Sequence, residues 1–262
     1  MAEMSSLNWV LSVFRFTWRA VASNPSLHVL FLLYSLALLL LSAFPVVGFF
    51  FSILWQISLF SVGTYLSRRI VESEGSESAF EERIKGTSFG EYLFSHPDTA
   101  LGAFVGTFLL TFIFQMVVLM VGIATFGREF VDFILSKGPP PDLGGEMDVG
   151  LLIGVLLLLV VFLVVLWVAP LVYGYVFQQE GFTAAMAAVF KVFNYDFFKS
   201  SLRISYLIMY SLFTVASLLL GGIGALLTGH PVTVPLGLAL LYGVVLLYFS
   251  FATHAYLLCK PA

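Results

Sequence analysis

The stretch LHVLFLLYSLALLLLSAFPVVGFFFSILWQISLFSVGTYLS, residues 27–67, decides the fold: 41 residues without one Lys, Arg, Asp or Glu, interrupted near the middle by Pro45. A helix rises about 1.5 Å per residue and a bilayer's hydrocarbon core is about 30 Å thick, so roughly 20 apolar residues cross it. The stretch is too long for one crossing and right for two. Proline removes a backbone donor and clashes with the preceding turn. A tight hairpin is therefore predicted, with span one at 27–44 and span two at 46–67.

The same reading extends along the chain. Further spans are predicted at 99–126, 149–175, 204–227 and 234–257, the last two separated by the polar turn Thr228-Gly229-His230-Pro231. The fold class is thus an all-α, six-span integral membrane bundle forming a single domain. Composition agrees: 60% of residues are hydrophobic and 10% charged, with a mean hydropathy of +1.02. Soluble domains carry about 25% charged residues. The net charge of −3 argues against nucleic-acid binding, which favours a basic patch. The single Cys259 excludes an intramolecular disulfide.

Six spans put both termini on one side. That side would hold Arg15, Arg19, Arg68, Arg69, Arg83, Lys85, Lys191, Lys199, Arg203 and Lys260, and the other only Arg128 and Lys137. The positive-inside rule then places both termini in the cytoplasm, with the chain in the cell membrane.

Four segments lie outside the spans. Residues 5–22 read as an amphipathic surface helix: Asn8, Ser12, Arg15 and Arg19 share one face, and Leu7, Val10, Leu11, Phe14, Trp18 and Val21 the other. Such a helix lies at the headgroup boundary, with Arg15, Trp18 and Arg19 as anchors and anionic headgroups as partners. Packing against the bundle is the alternative. The loop 68–98 holds two predicted capping boxes, Ser78-x-x-Glu81 and Ser88-x-x-Glu91, hence two short helices broken at Gly86. The loop 127–148 carries Pro139-Pro140-Pro141 and is acidic. Residues 181–203 form a second surface helix, broken near Asn194, with Lys191, Lys199 and Arg203 as anchors. Val13-Phe14-Arg15 and Val189-Phe190-Lys191 align at the same offset as Tyr34-Ser35-Leu36 and Tyr210-Ser211-Leu212. Internal duplication and chance similarity of apolar helices both account for that.

No Asp, Glu, Lys or Arg falls inside a span, whereas ion-coupled carriers place such groups near the midplane. The polar candidates are Gln56 and Gln115, each near the centre of its span. They are read as an amide pair joining spans two and three, with a polar pathway lining as the alternative. Gly102-x-x-x-Gly106 and Gly150-x-x-x-Gly154 permit close helix approach. Asp98 is the expected N-cap of span three. His96-Pro97-Asp98 matches the tripeptide of J-domain co-chaperones, but the span begins at once and leaves no room for their helical hairpin. No metal-ligand spacing, nucleophile elbow or phosphate loop is present, so no cofactor and no catalysis are expected.

Pro170-Leu171, Glu180-Gly181, Ala184-Ala185 and Ala188, ahead of an aromatic-basic stretch and a span, resemble a pattern in multi-span prokaryotic families. One is the membrane domain attached to some glycerophosphodiester phosphodiesterases. The resemblance covers about a quarter of the chain. It departs at Val189-Phe190, where the pattern often has a small polar residue. It implies a membrane module without the catalytic domain. The expected function is a non-catalytic accessory or scaffolding membrane module, alone, self-associated or with a membrane-protein partner. A facilitator for a small neutral or lipid-like solute is the alternative. A lipid enzyme using the carboxylates of loop 68–98 is a third class.

Overall fold

The computed structural model describes residues 6–45, 47–136, 149–229 and 233–260. The acidic part of loop 127–148 with its three prolines, Lys137 and the His230-Pro231 turn lie outside them. The protein is 89% helical, with 11 α-helices and no strand among the described residues. Six helices carry segments long and apolar enough to cross a membrane: α2 (Pro25–Ser42), α3 (Gly48–Glu72), α6 (Pro97–Ser136, apolar over Pro97–Ala124), α7 (Val149–Val176, apolar over Leu152–Val176), α10 (Ile204–Thr228) and α11 (Val234–Cys259). The others are α1 (Ser6–Ser23), α4 (Glu77–Lys85), α5 (Phe89–Phe94), α8 (Phe182–Val189) and α9 (Tyr195–Ser201), with a 3-10 turn at Phe190–Phe193.

Several boundaries move from their sequence positions, each for a local reason. The Asn24 side chain accepts from the Leu27 amide and starts α2 at Pro25, where a missing N–H costs nothing. α3 does not stop at its first arginine but continues to Glu72. α4 is capped by Ser76, which accepts from the Ala79 amide, and not by Ser78, which lies inside the helix. The left-handed residues Glu74 and Gly75 turn the chain two residues earlier than the capping pattern suggested. Ser88 caps α5 through the Glu91 amide, as its capping box predicts. Asp98 is a first-turn residue of α6, not its cap. There its carboxylate still meets the positive end of the helix dipole. Helix continues past the predicted end of span three to Ser136, interrupted at Gly127, whose φ of 54° is open to glycine.

The chain divides into two compact units, Met1–Gly106 with Val168–Ala262, and Thr107–Trp167. In the first, aromatic residues fill the core: Phe16, Phe31, Tyr65, Phe80, Tyr92 and Phe177 are all buried. Glycine sets the close approaches. A Cβ on Gly174 would lie 2.1 Å from the Ala252 carbonyl of α11. One on Gly102 would lie 2.2 Å from the Phe182 carbonyl, and one on Gly106 2.7 Å from that of Met186. The Gly102-x-x-x-Gly106 pair therefore seats the short helix α8 rather than another span. Gly154, by contrast, faces open space.

In the second unit α6 and α7 meet through Phe114 and Phe162, edge to face at 6.2 Å between ring centres.

Candidate functional site

The helix α1 is packed into the first unit. Val10, Val13, Phe16 and Ala20 form a buried stripe at helical spacing. The Ser250 hydroxyl donates to the Val13 carbonyl at 3.0 Å, and Phe16 meets Phe80 and His254 edge to face. His254 is itself packed, its Nδ1 on the Ser250 carbonyl at 2.7 Å. Leu11, Phe14 and Trp18 stay exposed, Trp18 by 70%. The helix thus has three faces where the sequence suggested two: a core stripe, an exposed apolar stripe and an ionic stripe.

That ionic stripe does not point away from the protein. Arg15 pairs with Glu77 at 3.3 Å, and Arg19 with Glu81 at 2.7 Å and Glu77 at 3.7 Å. Arg69 holds Glu72 and Glu91, Arg83 holds Glu72, and Lys85 holds Glu81. The Lys85 ammonium, with Arg19 behind it, holds the Glu81 carboxyl below the usual carboxylate range. Arg68 serves a helix end instead: it donates to the carbonyls of Phe177 and Gln179 at 3.2 and 2.6 Å. These carbonyls lie in the segment just after α7, and that of Gln179 also accepts from the Thr99 hydroxyl at 2.8 Å. Burial, with Arg68 nearby, lowers the pKa of His96. The five arginines and Lys85 between residues 15 and 85 are thus all engaged by protein oxygens.

The second half of the chain differs. Lys191, Lys199, Arg203 and Lys260 form no ion pair with a carboxylate among the described residues. Arg203 donates to the Leu258 carbonyl near the end of α11 at 3.1 Å. Lys191, on the 3-10 turn, donates to the Tyr175 hydroxyl at 3.1 Å and lies 4.4 Å from the centre of its ring. Asn194 breaks the second surface segment and caps α9, its side chain accepting from the Asp196 amide at 2.7 Å. The tertiary fold thereby leaves a basic face, made by Lys191 on the 3-10 turn, Lys199 on α9, Arg203 ahead of α10 and Lys260 after α11, with four cations and Asp196 as the carboxylate among them. Sequence reading grouped all the cations alike, because it could not say which ones have carboxylates within reach.

A buried hydrogen-bond chain with no sequence signature runs through the first unit. The His28 Nε2–H donates to the Ala20 carbonyl at 2.8 Å, so Nδ1 accepts from the Tyr242 hydroxyl at 2.8 Å. Tyr242 in turn accepts from Tyr92 at 3.0 Å. A carbonyl can only accept, so with the neutral imidazole every direction in the chain is fixed. Burial raises the pKa of Tyr92, which keeps its proton for donation. Tyr65 bonds Thr87 beside it.

Gln56 and Gln115 are both exposed, each on its own unit. Gln115 and Thr111 line a groove of about 530 Å3 between α6 and α7, otherwise walled by Phe114, Val118, Leu158 and other apolar side chains. In the first unit a cavity of about 370 Å3 is lined by Phe31, Ser35, Trp55, Leu59 and Tyr242 among others. The Ser35 Oγ and Trp55 Nε1 are buried without a hydrogen-bond partner among the described residues. Each such group costs about 1–3 kcal/mol.

Compared with family models, curated proteins and solved structures, the chain matches none of them.

Proposed function

We propose that the protein is a non-catalytic accessory module of the membrane, held against anionic lipid headgroups by the basic face of the 3-10 turn, α9, Arg203 and the end of α11. The observation that carries this reading is the asymmetry of charge. Arg15, Arg19, Arg69, Arg83 and Lys85 are neutralised by Glu72, Glu77, Glu81 and Glu91. Lys191, Lys199, Arg203 and Lys260 have no such partner. Basic residues beside an anionic leaflet each gain about 1 kcal/mol. The same ion pairs engage four of the seven carboxylates of 68–98, Glu72, Glu77, Glu81 and Glu91, that a lipid enzyme there would draw on as acid and base. The exposed Leu11, Phe14 and Trp18 face of α1 suits the headgroup boundary.

The test is lipid enrichment. The chain is reconstituted with equal parts phosphatidylcholine and phosphatidylglycerol, extracted in polymer discs, and the retained lipid counted. Wild type should retain an excess of phosphatidylglycerol. The Lys199→Gln/Arg203→Gln variant should lose about 25-fold of that excess, at about fivefold for each of its two cations. Arg15→Gln/Arg19→Gln should keep it. Equal loss from both variants, or no enrichment in wild type, would overturn the reading.

A second reading, a facilitator for a neutral lipid-like solute, is favoured by the 370 Å3 cavity and its unpartnered Ser35 and Trp55 groups. Apolar walls with a few polar groups are the usual make-up of a small-molecule site.

A further inference from the structure

Within the basic face lies a polar pocket of about 190 Å3, lined by Tyr175, Lys191, Asn194, Asp196, Tyr256 and Lys260 among others. Three parts of the chain build it: the end of α7, the segment 191–197, and the residue after α11. Its central cation is held in place by an aromatic wall, not by a carboxylate. The Lys191 ammonium bonds the Tyr175 hydroxyl and lies over that ring. Tyr175 is braced by Phe197 at 5.5 Å and Tyr256 at 5.6 Å between ring centres. A lysine in that position is compact and directed, and still has protons to donate. Asp196 lines the pocket as well, so two ammoniums against one carboxylate leave one positive charge.

We infer that this pocket binds one phosphate group, and prefers the singly charged phosphodiester of a phospholipid headgroup to a doubly charged phosphomonoester. Lys191 and Lys260 supply charge-assisted hydrogen bonds to the phosphate oxygens, and the Asn194 amide is a neutral donor beside them. Asp196 repels a second negative charge and sets the preference. The inference rests on the reading of this face as headgroup-facing but is narrower: one saturable site, centred on Lys191, against a diffuse field.

The full chain in dodecyl maltoside is titrated with dihexanoyl phosphatidylglycerol, dihexanoyl phosphatidic acid and inorganic phosphate, followed by phosphorus NMR and calorimetry. Dihexanoyl phosphatidylglycerol should saturate at one per chain and bind more tightly than dihexanoyl phosphatidic acid. Lys191→Gln should weaken it about tenfold, the size of a lost charge-assisted bond. Lys191→Arg should keep most of the binding, which separates loss of charge from loss of fold. Lys199→Gln, outside the pocket lining, should leave the titration unchanged. Asp196→Asn should strengthen binding, most of all for the phosphatidic acid. Inorganic phosphate binding as tightly as the lipid, with the same Lys191 dependence, would support the phosphate site and assign it to a free anion. Equal weakening by Lys191→Gln and Lys199→Gln, or no saturation, would overturn the pocket; lipid enrichment persisting in that case would leave the headgroup-facing reading standing. Loss of both enrichment and saturation would end both.

Discussion

Gly102 opens one small-x-x-x-small motif and Gly154 closes another, and the structure gives them opposite surroundings. A side chain at Gly102 runs into the Phe182 backbone at 2.2 Å, and backbone cannot swing aside. Gly102→Ala should therefore destabilise by about 1–3 kcal/mol, the range for overpacking. Gly154→Ala meets nothing within 4 Å and should be neutral or gain up to about 1 kcal/mol of helix propensity. Unfolding in mixed micelles of increasing denaturing detergent checks both. Equal effects would mean that α8 does not rest on α6. The motif was readable at both sites, but its consequence was not, since four residues of spacing do not name what approaches them.

At the scale of the element, α1 shows what periodicity gives and what it hides. The alternation of apolar and polar residues gave a helix over 5–22, and it forms over Ser6–Ser23. Two neighbouring apolar stripes merge into one in such a pattern. Only packing separates the core stripe Val10, Val13, Phe16 and Ala20 from the exposed Leu11, Phe14 and Trp18. Burial and ion pairs both hold α1, and burial contributes more. Phe16→Ala should cost about 3–5 kcal/mol, the usual loss for a buried phenylalanine. The ionic part depends on acid. The Glu81 carboxyl is held below its ordinary value by Lys85 and Arg19. Its contribution is fully present above the unfolded value of about 4.3 and is lost as pH falls through the lowered folded value. Hydrogen exchange along α1 should therefore quicken, after correction for intrinsic rates, as the pH falls below that value. Glu81→Gln should remove most of that acid sensitivity. An unchanged pH profile in Glu81→Gln would show that the clasp with Lys85 and Arg19 is electrostatically idle.

For the whole molecule, the six spans and the distribution of lysine and arginine carry a topology that can be measured. Single cysteines at positions 77 and 194, in a Cys259→Ser background, should label from the cytoplasm, and cysteines at 140 and 230 only from outside. Labelling of position 140 from the cytoplasm alone would invert or break this arrangement. The sequence by itself determined the fold class and the span count. An apolar run long enough to cross a bilayer has no alternative that satisfies its backbone in lipid, and proline and glycine punctuate such runs locally. It determined too that Ser88 starts a helix and that Asn194 ends one segment and begins another, because capping is a matter of a few adjacent residues. The tertiary structure alone decided which cations are paired with carboxylates within the protein and which have no such ion pair among the described residues. It likewise decided that His28, Tyr242 and Tyr92 share one hydrogen-bond chain, and that Tyr175 carries Lys191. Those outcomes depend on which side chains meet across tens to hundreds of residues. Charge count, spacing and hydropathy do not encode that distance, because each side chain's partner is chosen by packing.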